Sequence, residues 1–204
     1  MEHKTKILAV GDIHGDTGLV KRLAERAKKE NVDLIILAGD ITLGESSTKN
    51  LIGPFLKAKK EVFLIPGNHE SVATTEFLAE MYGPETKNIH GYAIQKGNIG
   101  IFGAGTVDWG SESRESKNIF KLLKRGNEKI KNSKKKIMVT HMHPRGSKAE
   151  FSGFRGSPAV TKAIKKFKPD ILISAHIHEA GGIEEKIGET KVINVSRVPK
   201  IFEI

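Results

Sequence analysis

Side chains with lone pairs suited to a divalent cation stand just after five short apolar runs of this 204-residue chain. Asp12 and His14 follow residues 7–10 in Gly11-Asp12-Ile13-His14-Gly15. Asp40 follows 34–38 as Gly39-Asp40, and Asn68 follows 62–65 in Pro66-Gly67-Asn68-His69-Glu70. His141 and His143 follow 137–140, and His176 and His178 follow 171–175. Residues two apart in extended chain face the same side, and side chains beyond the carboxyl ends of parallel strands share one crevice. Taken singly each is ordinary, since Gly-Asp after a strand is common turn chemistry. As a set they are not: of the eight histidines, six lie at predicted strand ends, and His3 and His90 are the two that do not.

Asp12, His14, Asp40, Asn68, His141, His176 and His178 are too many donors for one tetrahedral zinc. If one carboxylate bridges, they supply four ligands to each of two cations. Two of the seven are anionic, so two divalent ions leave a surplus of about two positive charges, which attracts a phosphate group. Such a pair also acidifies a bridging water enough to give hydroxide near neutral pH and holds the attacking and phosphoryl oxygens in line. Mixed nitrogen and oxygen donors suit manganese, iron, zinc, cobalt or nickel better than magnesium or calcium, with manganese foremost.

The elements that must position these residues are short β-branched strands alternating with amphipathic helices. In 16–30, Leu19, Leu23 and Ala27 recur every fourth residue with Lys and Arg opposite, and Asp16 or Thr17 can cap the helix. This alternation predicts an α/β fold with mainly parallel strands in its first half. The middle differs: 92–95 and 99–102, separated by Lys96-Gly97-Asn98, read as a hairpin. So do 183–187 and 190–195 around Gly188-Glu189, with a last strand near 200–204. Crossovers mixed with hairpins predict two sheets packed face to face with helices outside, in a single domain over 1–204. The polar segment 143–157 is long for a connection, and long loops are often functional.

Composition narrows the class. Lys plus Arg outnumber Asp plus Glu by 34 to 24, a formal charge of +10, and there is no cysteine. Disulfide scaffolds, thiolate metal sites and cysteine nucleophiles are therefore excluded. Residues 1–6 are polar, and no apolar run approaches the roughly 20 residues that cross a bilayer, which points to a soluble cytoplasmic protein with no membrane partner. The basic balance suggests a phosphate or polyanion partner, but a cysteine-free, Lys- and Glu-rich composition also marks heat adaptation. The basic clusters 57–60, 121–125, 129–136 and 162–168 read as solvated faces. There is no Walker lysine after Gly39, no complete dinucleotide fingerprint at Gly103-Ala104-Gly105 and no Gly-x-Ser-x-Gly elbow. Asn194-Val195-Ser196 fits a glycosylation acceptor by chance.

In this order, Asp12-x-His14, Gly39-Asp40, Gly67-Asn68-His69-Glu70, Thr140-His141 and His176-x-His178 resemble the calcineurin-like metallophosphoesterase family, in its small, compact prokaryotic form. The resemblance implies a four-layer αββα sandwich of two mixed sheets. It implies that Asp12, His14, Asp40 and His178 bind one metal, that Asp40, Asn68, His141 and His176 bind the other, and that Asp40 bridges. It sets His69 apart as the residue that contacts phosphate and stabilises the transition state or protonates the leaving oxygen, a role suited to imidazole. Two positions depart from the family pattern. Ala175 stands where glycine usually precedes the paired histidines, and Leu43 where many members carry Asp or Arg, which removes a partner for the bridging site. Ser157-Pro158 reads as an N-cap and first helical position.

The expected function is hydrolysis of phosphodiesters or phosphomonoesters, with diester or nucleotide substrates preferred because no cap domain closes the cleft. Two alternatives stand beside it. One is a non-catalytic scaffold on the same fold, against which the presence of His69 counts. The other is a nucleic-acid processing nuclease, against which count aromatics at only 6% and no basic run interleaved with them. His143, Arg145 and Arg155 on the long loop, with Phe151 and Phe154, are candidates for contacting a phosphate or a base.

Overall fold

Alternation with period two decides which sheet face each strand residue takes, and here both faces are apolar. In the computed structural model, which describes residues 4–110 and 113–204, β1 (Lys6–Val10), β2 (Leu34–Ala38) and β3 (Glu61–Ile65) are buried almost throughout. Ile7, Ala9, Leu34, Ile36, Phe63 and Ile65 point one way, into a cluster shared with Ile101, Ile137, Val139, Ile173 and Ile193 of a second sheet. Leu8, Val10, Ile35, Leu37, Val62 and Leu64 point the other way. That face is covered by α1 (Thr17–Lys29), α2 (Gly53–Lys57) and α3 (Val72–Met81). His3 and the rest of 1–3 lie outside the described residues.

The first sheet continues through β4 (Thr86–Asn88), parallel to β3, and is edged on its other side by β11 (Lys200–Glu203), antiparallel to β1. The second runs in the order β5 (Ala93–Lys96), β6 (Ile99–Ala104), β7 (Lys135–Thr140), β8 (Ile171–Ser174), β10 (Thr190–Asn194), β9 (Glu184–Ile187). Its central pairs are parallel, and β5 and β9 pair antiparallel at its edges. The outer face of this sheet, Phe102, Met138, Leu172 and Val192, packs on α4 (Arg114–Lys129) and α5 (Pro158–Phe167). The order helix, sheet, sheet, helix is the sandwich the sequence predicted. α1 begins where expected, with the Asp16 carboxylate accepting from Leu19 N at 2.8 Å. α5 begins at Ser157, whose Oγ accepts from Val160 N, with Pro158 as first residue. Among the described residues no helix is long and apolar enough to cross a membrane.

The polar strand Thr86-Lys87-Asn88 was not expected, because it carries no apolar signal. It exists because Val62 to Leu64 present an unpaired edge. As a result His90, read as lying away from any strand end, comes two residues after an edge strand and bridges to Gly103. Its Nδ1 accepts from Gly105 N at 3.0 Å, which requires the neutral ring. Burial, reinforced by the Arg125 guanidinium and opposed by Glu76, pushes the imidazole down to about 4 from its ordinary 6.5.

A depressed histidine contributes stability that is complete above its unfolded pKa, near 6.5, and lost as pH falls toward the folded value near 4. The contribution is on the order of 3 kcal/mol. Urea unfolding at pH 7 and pH 4 should therefore show the wild type losing about that much more stability than His90→Gln; parallel losses in the two proteins would contradict this account.

Candidate metal centre

All the candidate ligands lie in the turns that leave the carboxyl ends of β1, β2, β3, β7 and β8, and most of these turns are backbone-strained. Asp12 (φ 55°), His14 (φ 48°), Asp40 (φ 52°) and His176 (φ 72°) occupy the left-handed region, which non-glycine residues seldom adopt. Ala175 is not among the left-handed residues, so alanine in place of the family's glycine costs nothing there and the strain falls on His176. Two glycines permit the close approach. A Cβ on Gly67 would overlap Asp40 Oδ1, and one on Gly39 would collide with the His141 ring.

The two buried carboxylates divide their oxygens in the same way. Asp12, fully buried, takes His176 N on Oδ2 at 3.0 Å. Its Oδ1 has no hydrogen-bond partner and lies 3.9 and 3.7 Å from Nε2 of His14 and His178. Asp40, 2% exposed, takes Asn68 N (2.7 Å) and His69 N (2.9 Å) on Oδ1. Its Oδ2 lies 3.5 Å from His141 Nε2 and 3.8 Å from His14 Nε2. Asn68 Oδ1 and His176 Nδ1 lie 3.1 and 3.2 Å from the same His141 nitrogen, while His141 Nδ1 donates to the Ala38 carbonyl at 2.9 Å. That bond fixes the ring so that Nε2 faces the site. Donor atoms within 4.8 Å of one another form three sets: Asp12, His14 and His178; Asp40, His141 and His176; and His14, Asp40 and His69. Asp40 and His14 are shared between sets. His69, which the family resemblance places outside the ligands, thus comes within the same reach, its ring edge-on to His14 with centroids 4.6 Å apart.

The electrostatics follow from this packing. Burial works against ionisation of Asp40, but the His141 hydrogen bond and charge and the two amides outweigh it and hold the carboxyl well below its usual range. Burial likewise works against a charged His141, and Asp40 with Asp12 overrides it, lifting the ring to about 9. Burial and the neighbouring His141 charge push His176 down to about 3, and burial lowers His14. The cavity thus holds two carboxylates and two histidines, His14 and His176, whose neutral form burial favours. Buried oxygen atoms left without a donor are costly unless a cation meets them. Asp12 Oδ1 in the middle of imidazole nitrogens is such an atom, and the donor set fits a divalent cation.

The substrate-contact expectations fare differently. His143 is buried, with Nε2 donating to the Phe154 carbonyl at 3.3 Å, so that nitrogen is committed to the loop backbone. Arg145 donates to the Gly110 carbonyl at 2.9 Å. Arg155 is exposed. Asn194 is buried and donates to the Ala175 carbonyl, which supports the His176 turn and removes it as a glycosylation acceptor. Two residues escaped the sequence reading. Glu70, 5% exposed, accepts from Gly67 N on Oε1 (2.9 Å) and from Thr42 N on Oε2 (3.1 Å), fastening the Asp40 turn to the Asn68 turn. Leu43, which is exposed, supplies no such partner. A carboxylate following two strand-end ligands was the available signal. Trp109, edge-on to His176 with centroids 5.8 Å apart, gave no signal beyond its type.

A two-sheet sandwich that gathers nitrogen and oxygen donors at one strand end, with little positive charge of its own, is the architecture of a metal-dependent phosphoester hydrolase. The chain belongs, more particularly, to the calcineurin-like phosphoesterase family, whose pattern matches residues 5–180. No curated protein matches the sequence. Among solved structures, the chain is similar to TT1561 of Thermus thermophilus, with 19% identity, 99% of each chain covered and a TM-score of 0.78. It is similar to an archaeal phosphodiesterase, with 16% identity over 98% of this chain and 99% of that one and a TM-score of 0.58. It also resembles a dimetal phosphatase from Danio rerio, with 11% identity over 94% and 87% and a TM-score of 0.62. These likenesses carry the fold.

Glu70 touches none of the donor atoms except through the two turns it joins. Glu70→Gln replaces one acceptor oxygen by a donor facing a backbone N–H, and manganese affinity measured by titration calorimetry should drop by about 10- to 100-fold with the circular dichroism spectrum retained. Undiminished affinity would leave Glu70 with no part in shaping the site.

Proposed function

We propose that the chain, as one domain over 1–204, is a dinuclear phosphoesterase. In this reading Asp12, His14, Asp40 and His178 hold one divalent cation, Asp40, Asn68, His141 and His176 hold the second, and Asp40 is shared. The observation that carries it is the division of oxygens on both buried aspartates: one oxygen of each is committed to backbone amides and the other is aimed among histidine nitrogens. Manganese is our first choice for both positions among manganese, iron, zinc, cobalt and nickel, all of which accept mixed nitrogen and oxygen donors.

The chemistry such a pair supplies when bound is Lewis acidity toward phosphoryl oxygens and a water acidic enough to attack phosphorus. The residues of the chain do the rest. The amides of Asn68 and His69 keep the Asp40 carboxylate oriented and ionised. The Ala38 carbonyl fixes the His141 tautomer. His69, half-buried beside His14, is placed to hand its imidazole proton to the ester oxygen as it leaves, which general acid catalysis rewards. Its position also argues against a scaffold role, which has no use for a proton carrier within solvent's reach beside a complete donor set. Substrates are phosphodiesters or nucleotides, with monoesters slower; the resemblance to an archaeal phosphodiesterase and to a dimetal phosphatase supports both parts of this reading. A cysteine-free chain suits a reducing cytoplasm.

A panel of 4-nitrophenyl phosphate, bis(4-nitrophenyl) phosphate and 2′,3′-cyclic AMP with manganese tests this directly. The diesters should turn over fastest, chelation should abolish turnover and added manganese restore it, and Asp40→Ala should be inactive but folded. His69→Ala should bind manganese normally and lose kcat by about a hundredfold to ten-thousandfold. Turnover that survives chelation, or an unaltered kcat in His69→Ala, would defeat the mechanism.

A further inference from the structure

Two of the exposed large apolar side chains, Trp109 and Phe154, stand on rigid supports beside the cation ligands. Trp109 is 67% and Phe154 59% exposed, though each belongs to a loop pinned by buried polar contacts. On the Trp109 loop, Asp108 accepts from Gly110 N with Oδ1 and from the Ser157 hydroxyl with Oδ2, at 3.1 and 2.6 Å. Arg145 donates to Gly110 O, and His143 holds Phe154 O. Trp109 itself sits at φ 50°, a strained conformation that its fastened neighbours maintain. A fold that fixes the backbone of two aromatic residues while leaving most of each side chain in solvent gains little from them in stability, because apolar stabilisation scales with the area buried. Both rings line one cleft of about 250 Å³ with His176, Ile177, His178 and Glu179. The cleft is therefore continuous with the proposed cation ligands, and a group occupying it is attached within a few atoms of a phosphate held at the centre.

We infer that this cleft is a nucleoside subsite, with Trp109 and Phe154 receiving the base of a substrate whose phosphate lies at His176 and His178. Two aromatic faces and an aliphatic floor at Ile177 match a planar base, which stacks on such rings regardless of its sequence identity. Glu179 at the rim accepts from amino or imino groups of a base and repels a further phosphate, so the occupant is a nucleoside with a single phosphate between it and the cations. His143, Arg145 and Asp108 act here as positioning residues that set the rings and do not touch the base. The inference rests on the phosphoesterase reading for the phosphate end alone.

Trp109 is the single tryptophan of the chain, so its fluorescence reports the cleft without any turnover. Manganese-loaded protein, excited at a wavelength that adenine does not absorb, is titrated with a non-hydrolysable adenosine 5′-phosphonate and with the matching ribose 5-phosphonate. The adenosine compound should quench emission saturably and bind about tenfold or more tightly than the ribose compound. Phe154→Ala should erase most of that preference and Phe154→Tyr should keep it. Equal affinity for the two phosphonates, or an adenosine affinity untouched by Phe154→Ala, would overturn the subsite. Quenching by adenosine phosphonate in a protein that hydrolyses no ester would uphold the subsite and overturn the reaction, and hydrolysis without quenching would do the reverse.

Discussion

The Asp40 carboxylate is an anion that is 2% exposed, with no lysine or arginine within ion-pair distance among the described residues. Burying an ion costs several kcal/mol unless charge and hydrogen bonds offset it. Two amides from the turn after β3 supply the hydrogen bonds, and His141, held by Ala38 O, supplies the charge. Most of the centre can be derived from meeting those needs. The turn after β3 must reach the turn after β2, which sets β2 beside β3 in parallel register and requires glycine at 39 and 67. The second sheet must bring the end of β7 to the end of β2, which the shared inner core of isoleucines and valines achieves. A divalent cation held by these residues would supply the charge that the His141 proton supplies here.

Strain and support are paired throughout. Asp12, His14, Asp40 and His176 adopt left-handed backbone, each at a cost of order 1–3 kcal/mol, and each is over-determined by strands on both sides. Gly11 N bonds Val195 O, Asp12 N bonds Gly39 O and His14 N bonds Asp40 O, so the turns after β1, β2 and β10 hold one another. Glu70 adds the link between the turns after β2 and β3. This lattice of backbone and carboxylate contacts lets donors from five strand ends keep their geometry while His69 and His178 remain open to solvent.

The layers were legible because β1 to β3 and β6 to β8 are nearly unbroken apolar runs, the mark of parallel strands covered on both faces. The donors were legible because they occur in pairs at the ends of those runs, and local order along the chain becomes order in space when strands are parallel. β4 was not legible: Thr86, Lys87 and Asn88 owe their extended form to the β3 edge, a tertiary cause without local pattern. The contacts of His143 and Arg145 were not legible for a related reason. Their types suit phosphate contact, and how each side chain is oriented depends on a partner that no local pattern announces, Phe154 across the same loop for His143 and Gly110 on a separate loop for Arg145. Trp109 lies in a loop without periodicity, and only the fold shows that it shares a cleft with Phe154.

The central claim is that Asp40 is shared by two cations at the strand ends. Anomalous scattering from crystals of the manganese-loaded protein measures this without reference to any substrate. The account predicts two manganese peaks per chain, with the Asp40 carboxylate contacting both, Asp12, His14 and His178 at one and Asn68, His141 and His176 at the other. A single peak under saturating manganese, or two peaks neither of which Asp40 contacts, would contradict it.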